Sequence, residues 1–472
     1  MITPWSTHGS LQVSADGHYL HHADGTEFFW LGDTAWHLAR LTPDDVERYL
    51  ANRAAKGFTV IHLYATQDPH PRFGGKNYAG IIAFAGEGPP FAQVQLHEAY
   101  WRHIDFILDC AAQYGLYVAL APAWGLNLNG GKRQYFTDPD QHNYAFGKLV
   151  GQRYRHQPNL IWIAAAEYQT PFTEPTPPDH RARVLRLVDG LRAGDGGDHL
   201  MTIHPLSRFT SSVDFHDAPW LAFNMIQTHV YHDYIDSLVS GDWQRTPAKP
   251  TLNAEGWYEA EEDLFISRVG VQKTTSFDPG WIQRYQAYWS TFFGSIGYGY
   301  GHHRLWTFLA EDQTFPADLA QTPGVLLPSA LEAPGSAHLP HLRALLTAKL
   351  APSRVPDQSL LVLNTVGSDG TVSPTLRCAL RDVDRQWAYV YTSRGEVIGL
   401  FMNKLANGQA AAYWYNPRNG LWHVAGHEDE WQTPFATAIA SGVGAPWHYF
   451  FPPDAPADGN DWVLVLEVQP HE

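Results

Sequence analysis

The sequence predicts an α/β fold, a (β/α)8 barrel with an N-terminal β-hairpin over residues 1–350 and a small antiparallel β-sandwich over residues 351–472. Eight apolar strand-like segments alternate with helical segments over roughly 300 residues. From about Pro352 helical periodicity is absent, and short strands separated by turn residues replace it. At 472 residues the chain also exceeds what one hydrophobic core usually serves, which favours two domains.

The N-terminal segment reads as a hairpin that leads into the first barrel strand. Residues 11–13 and 19–21 are joined through Asp16-Gly17, and Asp24-Gly25 makes a second turn. The first buried strand covers residues 28–33 and ends in Gly32-Asp33-Thr34-Ala35-Trp36. An open dinucleotide-binding sheet would carry a glycine-rich phosphate turn here, so the closed barrel is favoured.

The barrel continues with regular alternation of strand and helix. Thr42 caps a helix that has Pro43 at its first position and stops at Gly57. The other predicted strands cover residues 58–64, 116–121, 160–166, 199–204, 222–228, 251–254 and 298–306. The other predicted helices cover residues 98–114, 143–154, 179–192, 283–293 and 338–349.

The C-terminal region reads as a sandwich of short strands. Residues 360–363, 386–391, 397–401, 411–415 and 462–468 have strand character, and turn signals separate them. No low-complexity linker divides this region from the barrel. We therefore expect the two domains to pack rigidly against each other.

Composition excludes several classes of function. A formal net charge of -16 argues against a nucleic-acid partner, because phosphate binding needs a basic face. No apolar run reaches 18 residues, so no membrane span is expected. The N-terminus lacks a basic start and an apolar run, which predicts a cytoplasmic protein, although a secreted protein with its signal removed would look the same. Cys110 and Cys378 are too few for a disulfide framework, and we read both as buried thiols.

Two glutamates follow apolar strands at matching positions. Glu167 ends the predicted strand four beside Tyr168, and Glu255 ends strand seven two residues before Trp257. Active groups of such barrels come from the C-terminal ends of strands, so both carboxylates should face one cleft. A pair of carboxylates in an aromatic-lined cleft is the chemistry of glycoside hydrolysis, with Glu167 as acid/base and Glu255 as nucleophile. The alternative is that either glutamate is a surface or salt-bridged residue.

Other strand ends and their flanks supply groups that suit a sugar, with polar side chains for hydroxyls and aromatic rings for stacking. The predicted substrate-binding residues are Asp33, Trp36, His62, Tyr64, Trp124, Tyr168, His204, His229, Tyr231, Trp257, His302 and Trp306. Each of them, taken alone, has a structural alternative as a hydrogen-bonded or packed residue. Trp30 and Trp162 lie within strands and are read as core.

The 25 histidines raise the possibility of a metal site, which the sequence motifs do not support. There is no His-Glu-x-x-His, since His97-Glu98 lacks the second histidine, and strand one lacks a His-x-His. We therefore predict neither a metal nor another cofactor. A serine nucleophile is equally unsupported, because Gly294-Ser295-Ile296-Gly297 does not have nucleophile-elbow spacing.

Several stretches of the barrel resemble the apiosidase-like glycoside hydrolases, family 140 in the sugar-hydrolase classification. The matching segments are Phe29 to Trp36, Arg53 to Phe58, Arg153 to Trp162, His204-Pro205 with Ser211-Ser212, Trp220 to Gln227 and Arg284 to Ser290. The C-terminal region is similar to the small β domain often appended in this family and labelled collagen-binding. The resemblance implies a barrel with a retaining mechanism and a carbohydrate substrate.

The family motifs are only partly kept at the two glutamates. The strand-four motif usually reads Gly-Gly-Asp, whereas this chain has Ala165-Ala166-Glu167, one methylene longer. The strand-seven motif usually reads Gly-Glu-Pro, whereas this chain has Ala254-Glu255-Gly256. The resemblance therefore assigns Glu255 by motif and Glu167 by position. It implies the class of activity without fixing the sugar.

Three functions follow from these observations. The first is a retaining glycoside hydrolase that acts on plant or microbial oligosaccharides or polysaccharides by a two-glutamate double displacement. The second is a non-catalytic carbohydrate-binding barrel, which the altered strand-four motif motivates. The third is a metal-dependent barrel hydrolase. The sequence leaves the linkage, exo or endo action and the oligomeric state open.

Overall fold

The predicted fold class is confirmed, an α/β barrel followed by antiparallel sheets. The computed structural model describes residues 3–68, 74–128, 133–169, 178–229, 232–261, 278–312, 322–362, 377–424 and 426–469. All structural statements below concern these ranges.

A three-stranded antiparallel sheet precedes the barrel. Its strands are β1 (Leu11–Val13), β2 (Leu20–His22) and β3 (Glu27–Phe28), in that order. The turns at Gly17 and Gly25 have φ of 78° and 88°, a region that glycine enters without steric cost. The predicted hairpin is therefore present, and β3 extends it by one strand.

Eight parallel strands form the barrel in the order expected of the fold. They are β4 (Trp30–Thr34), β5 (Val60–Tyr64), β6 (Tyr117–Ala121), β7 (Leu160–Ala166), β8 (Met201–His204), β10 (Asn224–Gln227), β11 (Thr251–Glu255) and β12 (Ser295–Tyr300). Consecutive strands of this set pair with each other except β8 and β10, and β12 pairs with β4. The short β9 (Phe209–Thr210) adds an antiparallel partner to β10. Between β8 and β10 the Ala222 N–H donates to the Met201 carbonyl at 2.8 Å, so the barrel is nearly closed.

Helices follow most of the strands and cover the outside of the barrel. They are α1 (Pro4–His8), α2 (Pro43–Ala55), α3 (Glu98–Gln113), α4 (Gly125–Leu128), α5 (Pro139–Tyr154), α6 (Pro178–Asp195), α7 (Ser212–Phe215), α8 (Ile235–Trp243), α9 (Gly280–Phe292), α10 (Pro328–Leu331) and α11 (Pro334–Thr347). Short 3-10 helices span Leu38–Arg40, His232–Tyr234, Ala351–Ser353, Gln358–Leu360 and Met402–Lys404. Within the ranges that the structure describes, none of these helices has the length and apolar character needed to cross a bilayer.

Two predicted strands differ from the structure. Strand eight was expected at residues 298–306, but β12 ends at Tyr300. Tyr300 pairs with Asp33, and the pairing between β12 and β4 ends there. Beyond the strand, His302 forms a single bridge with Glu259, and residues 303–306 form turns. At the strand predicted for residues 360–363, Leu360 is the last residue of a 3-10 helix and Leu361 forms one bridge with Leu400, whereas residue 363 lies outside the described ranges.

The C-terminal region consists of two antiparallel sheets that enclose their own core. The larger sheet contains β13 (Arg354–Pro356), β14 (Arg377–Asp382), β15 (Trp387–Thr392), β17 (Gly408–Tyr415), β18 (Trp422–Val424), β19 (His427–Asp429), β20 (Ala436–Ser441) and β22 (Trp462–Gln469). The smaller sheet pairs β16 (Ile398–Phe401) with β21 (Trp447–Phe450). The sequence had indicated β15, β16, β17 and β22 to within three residues at each end.

The barrel and the C-terminal sheets are joined by buried polar contacts. Arg284 of α9 donates to both carboxylate oxygens of Asp461 at 2.8 and 2.7 Å, and both side chains are fully buried. Trp281, one turn earlier, donates from Nε1 to the Ser393 carbonyl at 2.7 Å. A two-point guanidinium–carboxylate pair fixes orientation as well as distance, so this contact holds the two parts in one geometry.

A second buried ion pair ties the first barrel strand to the helix that follows it. Arg53 of α2 donates from Nε to Asp33 Oδ2 at 2.5 Å, and the Tyr49 hydroxyl donates to the same oxygen at 2.6 Å. Neither Asp33 nor Arg53 is exposed to solvent. Arg53 also donates to the Leu331 carbonyl at 3.1 Å. The pair therefore links three elements of the barrel wall.

We expect Asp33→Ala to lower the free energy of unfolding by about 3–5 kcal/mol, because it leaves the Arg53 charge buried without its partner. Adding Arg53→Met should recover part of that loss, since the uncompensated charge is then removed as well. Urea denaturation of the two variants and of the exposed control Asp384→Ala would measure the effect. A loss below about 1 kcal/mol for Asp33→Ala would contradict the structural role.

Candidate active site

The two glutamates lie at the C-terminal edge of the barrel. Glu255 is the last residue of β11, and Glu167 directly follows β7. Glu255 is 6% exposed, and Glu167 is partly buried. Both line one pocket of about 340 Å³, within the usual size range of small-molecule sites.

A single amide nitrogen lies between the two carboxylates. Nε2 of Gln227, the last residue of β10, donates to Glu255 Oε1 at 2.9 Å and to Glu167 Oε1 at 3.4 Å. Those two oxygens are therefore within two hydrogen-bond lengths of each other. Retaining glycosidases hold their carboxyl groups about 5–5.5 Å apart and inverting ones about 6.5–9.5 Å apart. The contact through Gln227 is compatible with the shorter spacing.

Each carboxylate also accepts a hydrogen bond from an indole. Trp36 Nε1 donates to Glu255 Oε2 at 3.0 Å, and Trp124 Nε1 donates to Glu167 Oε2 at 2.9 Å. The two indoles contact each other edge to face with ring centroids 5.2 Å apart. The Tyr258 hydroxyl gives Glu255 one further hydrogen bond. The aromatic residues therefore orient the carboxylates while they form the wall of the pocket.

The electrostatic environment disfavours two negative charges. Burial raises the pKa of Glu167, and burial together with the neighbouring Glu167 charge raises the pKa of Glu255 to about 8. Hydrogen bonds from Trp36, Tyr258 and Gln227 lower the pKa of Glu255 and so partly oppose this effect. Two carboxylates this close titrate as a unit. The pair therefore retains one proton near neutral pH.

Neutral histidines lie beneath the pair and add no compensating charge. Burial lowers the pKa of His204 to about 4 and that of His62 to about 3. The His204 Nδ1–H donates to the Pro205 carbonyl at 2.9 Å, which leaves Nε2 unprotonated and 3.6 Å from Glu255 Oε2. No imidazolium is therefore available at this position to stabilise the Glu255 anion.

The backbone at Glu167 is held in an uncommon conformation. Its φ is 44°, in the left-handed region that non-glycine residues rarely adopt. Such strain persists where the surrounding structure fixes it, often at active sites. Gly125 packs against this segment so closely that a Cβ would lie 2.3 Å from Tyr168 Cα. A side chain at position 125 would displace the backbone that positions Glu167.

Five of the predicted substrate-binding residues line the pocket together with the two glutamates. They are Trp36, Tyr64, Trp124, His229 and Trp306. Tyr231, which was also predicted, lies outside the described residues. The role of each pocket residue toward a sugar remains a prediction.

Six other predicted residues are not in the pocket lining, and their contacts explain why. Asp33 is bound by Arg53, and Tyr168 donates its hydroxyl to Asp214 Oδ2 at 2.9 Å. Trp257 is fully buried in the core. The remaining three are buried histidines, His62, His204 and His302. These six residues form a supporting layer outside the pocket lining, and their role toward a sugar stays a prediction.

Other residues of the pocket were not identified from the sequence. Gln227 was within the predicted strand six, and its place near the strand end was the available signal. Tyr258 follows Glu255 by three positions, and this proximity was the available signal. The remaining lining residues come mostly from loops, where no strand pattern points to them: His37, Asp68, Leu126, Arg133, Ser207, Glu261 and His303.

Metal coordination is not favoured by the side chains that the structure describes. Among those residues, no group of three or more His, Cys, Asp or Glu side chains is arranged to hold a metal ion. The pocket histidine His303 instead contacts a carboxylate, that of Glu261, at 2.7 Å.

Two solved structures are similar to this chain over nearly its whole length. One is described as a glycoside hydrolase, with 26% identity, a TM-score of 0.79, and coverage of 100% of this chain and 99% of its own. The other is a glycoside hydrolase family 5 protein from Bacteroides vulgatus ATCC 8482, with 25% identity and a TM-score of 0.78. That match covers 99% of this chain and 95% of the other. No curated protein matches the sequence.

Family models match both parts of the chain. Residues 355–467 match a model named for the collagen-binding domain of a collagenase. Residues 14–351 match the model described as the apiosidase-like catalytic domain. The chain therefore belongs to the apiosidase-like family, and its class of activity is that of a glycosidase.

Proposed function

We propose that the protein is a retaining glycoside hydrolase that acts on oligosaccharides or polysaccharides of plant or microbial origin. The observation that carries the proposal is the contact of one amide nitrogen, Gln227 Nε2, with both carboxylates. This contact is compatible with the shorter carboxylate spacing of a retaining mechanism, in which no additional water has to fit between the carboxylates.

Glu255 is the nucleophile in this proposal. It accepts hydrogen bonds from Trp36, Gln227 and Tyr258, and these three donors stabilise its negative charge. Its carboxylate attacks the anomeric carbon as the bond to the leaving oxygen breaks, and a covalent glycosyl-enzyme forms. Its position at the end of β11 fixes the direction of attack because the strand is fully buried.

Glu167 is the acid/base. It holds the proton that the pair shares and gives it to the glycosidic oxygen as that bond breaks. The same carboxylate then removes a proton from water, which attacks the glycosyl-enzyme and regenerates Glu255. The pKa of Glu255 is also raised, so the proton belongs to the pair as a whole, but Glu167 receives fewer hydrogen bonds than Glu255, from Trp124 and weakly from Gln227, and its anion is therefore less stabilised by donors.

The substrate lies against aromatic surfaces. Trp36, Trp124 and Trp306 line the pocket together with Tyr64, whose ring centroid is 4.7 Å from that of Trp124. A flat apolar ring with a polar edge matches the face of a sugar and the hydroxyls at its rim. These rings supply the binding surface, and the carboxylates supply the reaction.

Substitution of the two glutamates should have different consequences. We expect Glu255→Ala to lower kcat by more than about 1,000-fold on every glycoside, since no covalent intermediate can form. Glu167→Ala should lower kcat by about 10²–10⁴-fold on alkyl glycosides, whose leaving groups need a proton. On 2,4-dinitrophenyl glycosides the same variant should keep kcat/KM within about tenfold of wild type, because kcat/KM reports the first step and this leaving group needs little protonation.

Initial rates on a panel of aryl and alkyl glycosides would measure this difference, with the exposed Glu430→Gln as control. Full activity of both glutamate variants would refute the proposal. Sugar binding by the wild type without any turnover would instead identify a non-catalytic barrel. Loss of wild-type activity with a chelator would indicate a metal-dependent hydrolase.

The pH dependence of kcat/KM should report the proton that Glu167 and Glu255 share. A raised pKa means that the pair keeps its proton to higher pH than an ordinary glutamate, so kcat/KM should fall as pH rises through about 8. Because the Gln227 hydrogen bond lowers the pKa of Glu255, Gln227→Ala should move this alkaline limb to higher pH. Measurement of kcat/KM from pH 4 to 10 tests both statements, and an alkaline limb near pH 5 would contradict them.

A further inference from the structure

A third carboxylate in the pocket has an oxygen without a hydrogen-bond donor. Glu261 lies in the loop after β11 and is 17% exposed. Its Oε1 is 2.7 Å from His303 Nδ1. Its Oε2 is buried, has no hydrogen bond, and is 3.8 Å from His229 Nε2, beyond hydrogen-bond reach.

The contact with His303 fixes the orientation of this carboxylate. An ionised carboxylate only accepts hydrogen bonds, so the His303 nitrogen that faces it carries the proton. One oxygen is therefore held, and the other is buried without a donor in a side chain that lines the pocket that Glu255 and Glu167 share. A buried acceptor without a donor is costly in a folded protein, which points to a donor supplied by a ligand.

Glu261 is on the Glu255 side of the pocket. The His229 N–H donates to the Glu255 carbonyl at 3.1 Å, and the His229 ring packs edge to face on Tyr258 with centroids 5.4 Å apart. Tyr258 in turn hydrogen-bonds the Glu255 carboxylate. Glu261 is thus separated from the proposed nucleophile by two side chains. The sugar unit attached to the nucleophile is the one within its reach.

The sign of the charge limits which sugar can bind there. A carboxylate attracts a hydroxyl hydrogen and repels the carboxylate of a uronic acid. Glu261 adds its negative charge to that of the catalytic pair on the same side of the pocket. The only pocket-lining guanidinium among the described residues, Arg133, is paired with Asp68 at 3.2 Å.

We propose that Glu261, held by His303, accepts a hydrogen bond from a ring hydroxyl of a neutral sugar unit that binds next to Glu255. This inference rests on the proposed function, since it assumes that a sugar enters the pocket. It assigns Glu261 to substrate choice and gives it no part in bond cleavage. Loss of the residue should therefore alter discrimination between sugars.

The first experiment compares wild type, Glu261→Gln and the exposed control Glu430→Gln on 4-nitrophenyl glycosides of neutral sugars and of uronic acids. We expect the wild type to prefer neutral glycosides. In Glu261→Gln the amide nitrogen replaces the free acceptor, so kcat/KM on the best neutral glycoside should fall about 10- to 100-fold. The ratio of kcat/KM on this neutral glycoside to that on the matching uronide should also fall in Glu261→Gln. The control variant should match the wild type in both quantities.

Monodeoxy analogues of the best glycoside then separate recognition from structural damage. Removal of one particular hydroxyl should cost the wild type about 10- to 100-fold in kcat/KM and cost Glu261→Gln less than about threefold. If Glu261 were merely structural, its substitution would lower kcat/KM by the same factor for all analogues. An unchanged penalty for every deoxy analogue in Glu261→Gln would overturn the inference while leaving the glycosidase proposal intact.

Binding provides a readout that does not depend on turnover. Trp36, Trp124 and Trp306 line the pocket, so tryptophan emission reports its occupancy by free monosaccharides. Sugar binding that weakens in Glu261→Gln, in a protein without hydrolysis, would support the inference and refute the proposed function. Emission that responds to no sugar, together with no hydrolysis, would overturn both.

Discussion

The contact of one amide nitrogen with two carboxylates is the constraint on which the rest of the site depends. Gln227 can meet Glu167 and Glu255 together because their three strands, β7, β10 and β11, end at the same edge of the barrel. Carboxylates that share a donor repel each other when both are ionised. A raised pKa is therefore a direct consequence of the spacing, and the spacing is a consequence of the barrel.

The residues that contact the two carboxylates bring no positive charge to them. A cation beside Glu255 would hold both carboxylates ionised and leave no proton for a leaving group. The buried histidines His62 and His204 have lowered pKa values and remain uncharged. The indole N–H groups of Trp36 and Trp124 donate hydrogen bonds without bringing a positive charge. The chain thus binds its carboxylates with dipoles, while Arg53 and Arg284 neutralise acids elsewhere in the fold.

The sequence predicted the barrel and the edge at which Glu167 and Glu255 lie, because residues that follow the apolar strands of a parallel barrel all lie at its C-terminal edge. It did not predict which way each side chain turns. Asp33 and Trp36 follow the same strand closely, yet Asp33 points outward to Arg53 and Trp36 points inward to Glu255. That choice depends on a helix residue 20 positions away and on a strand end 219 positions away. No local pattern contains such information.

Strand ends hold the two carboxylates, loops hold Glu261, and the difference in rigidity between strands and loops explains this arrangement. Glu255 is the end of a buried strand, and its donors come from neighbouring strands or from turns packed on them. Glu261 is six residues further along, in a loop, and a second loop residue, His303, holds it in place. Strand geometry cannot change without distorting the barrel, whereas loops tolerate change. A barrel of this kind can therefore keep one reaction while residues in its loops determine which sugar is cleaved. The departures from the family motifs beside Glu167 and Glu255 bear more on the choice of sugar than on the class of reaction.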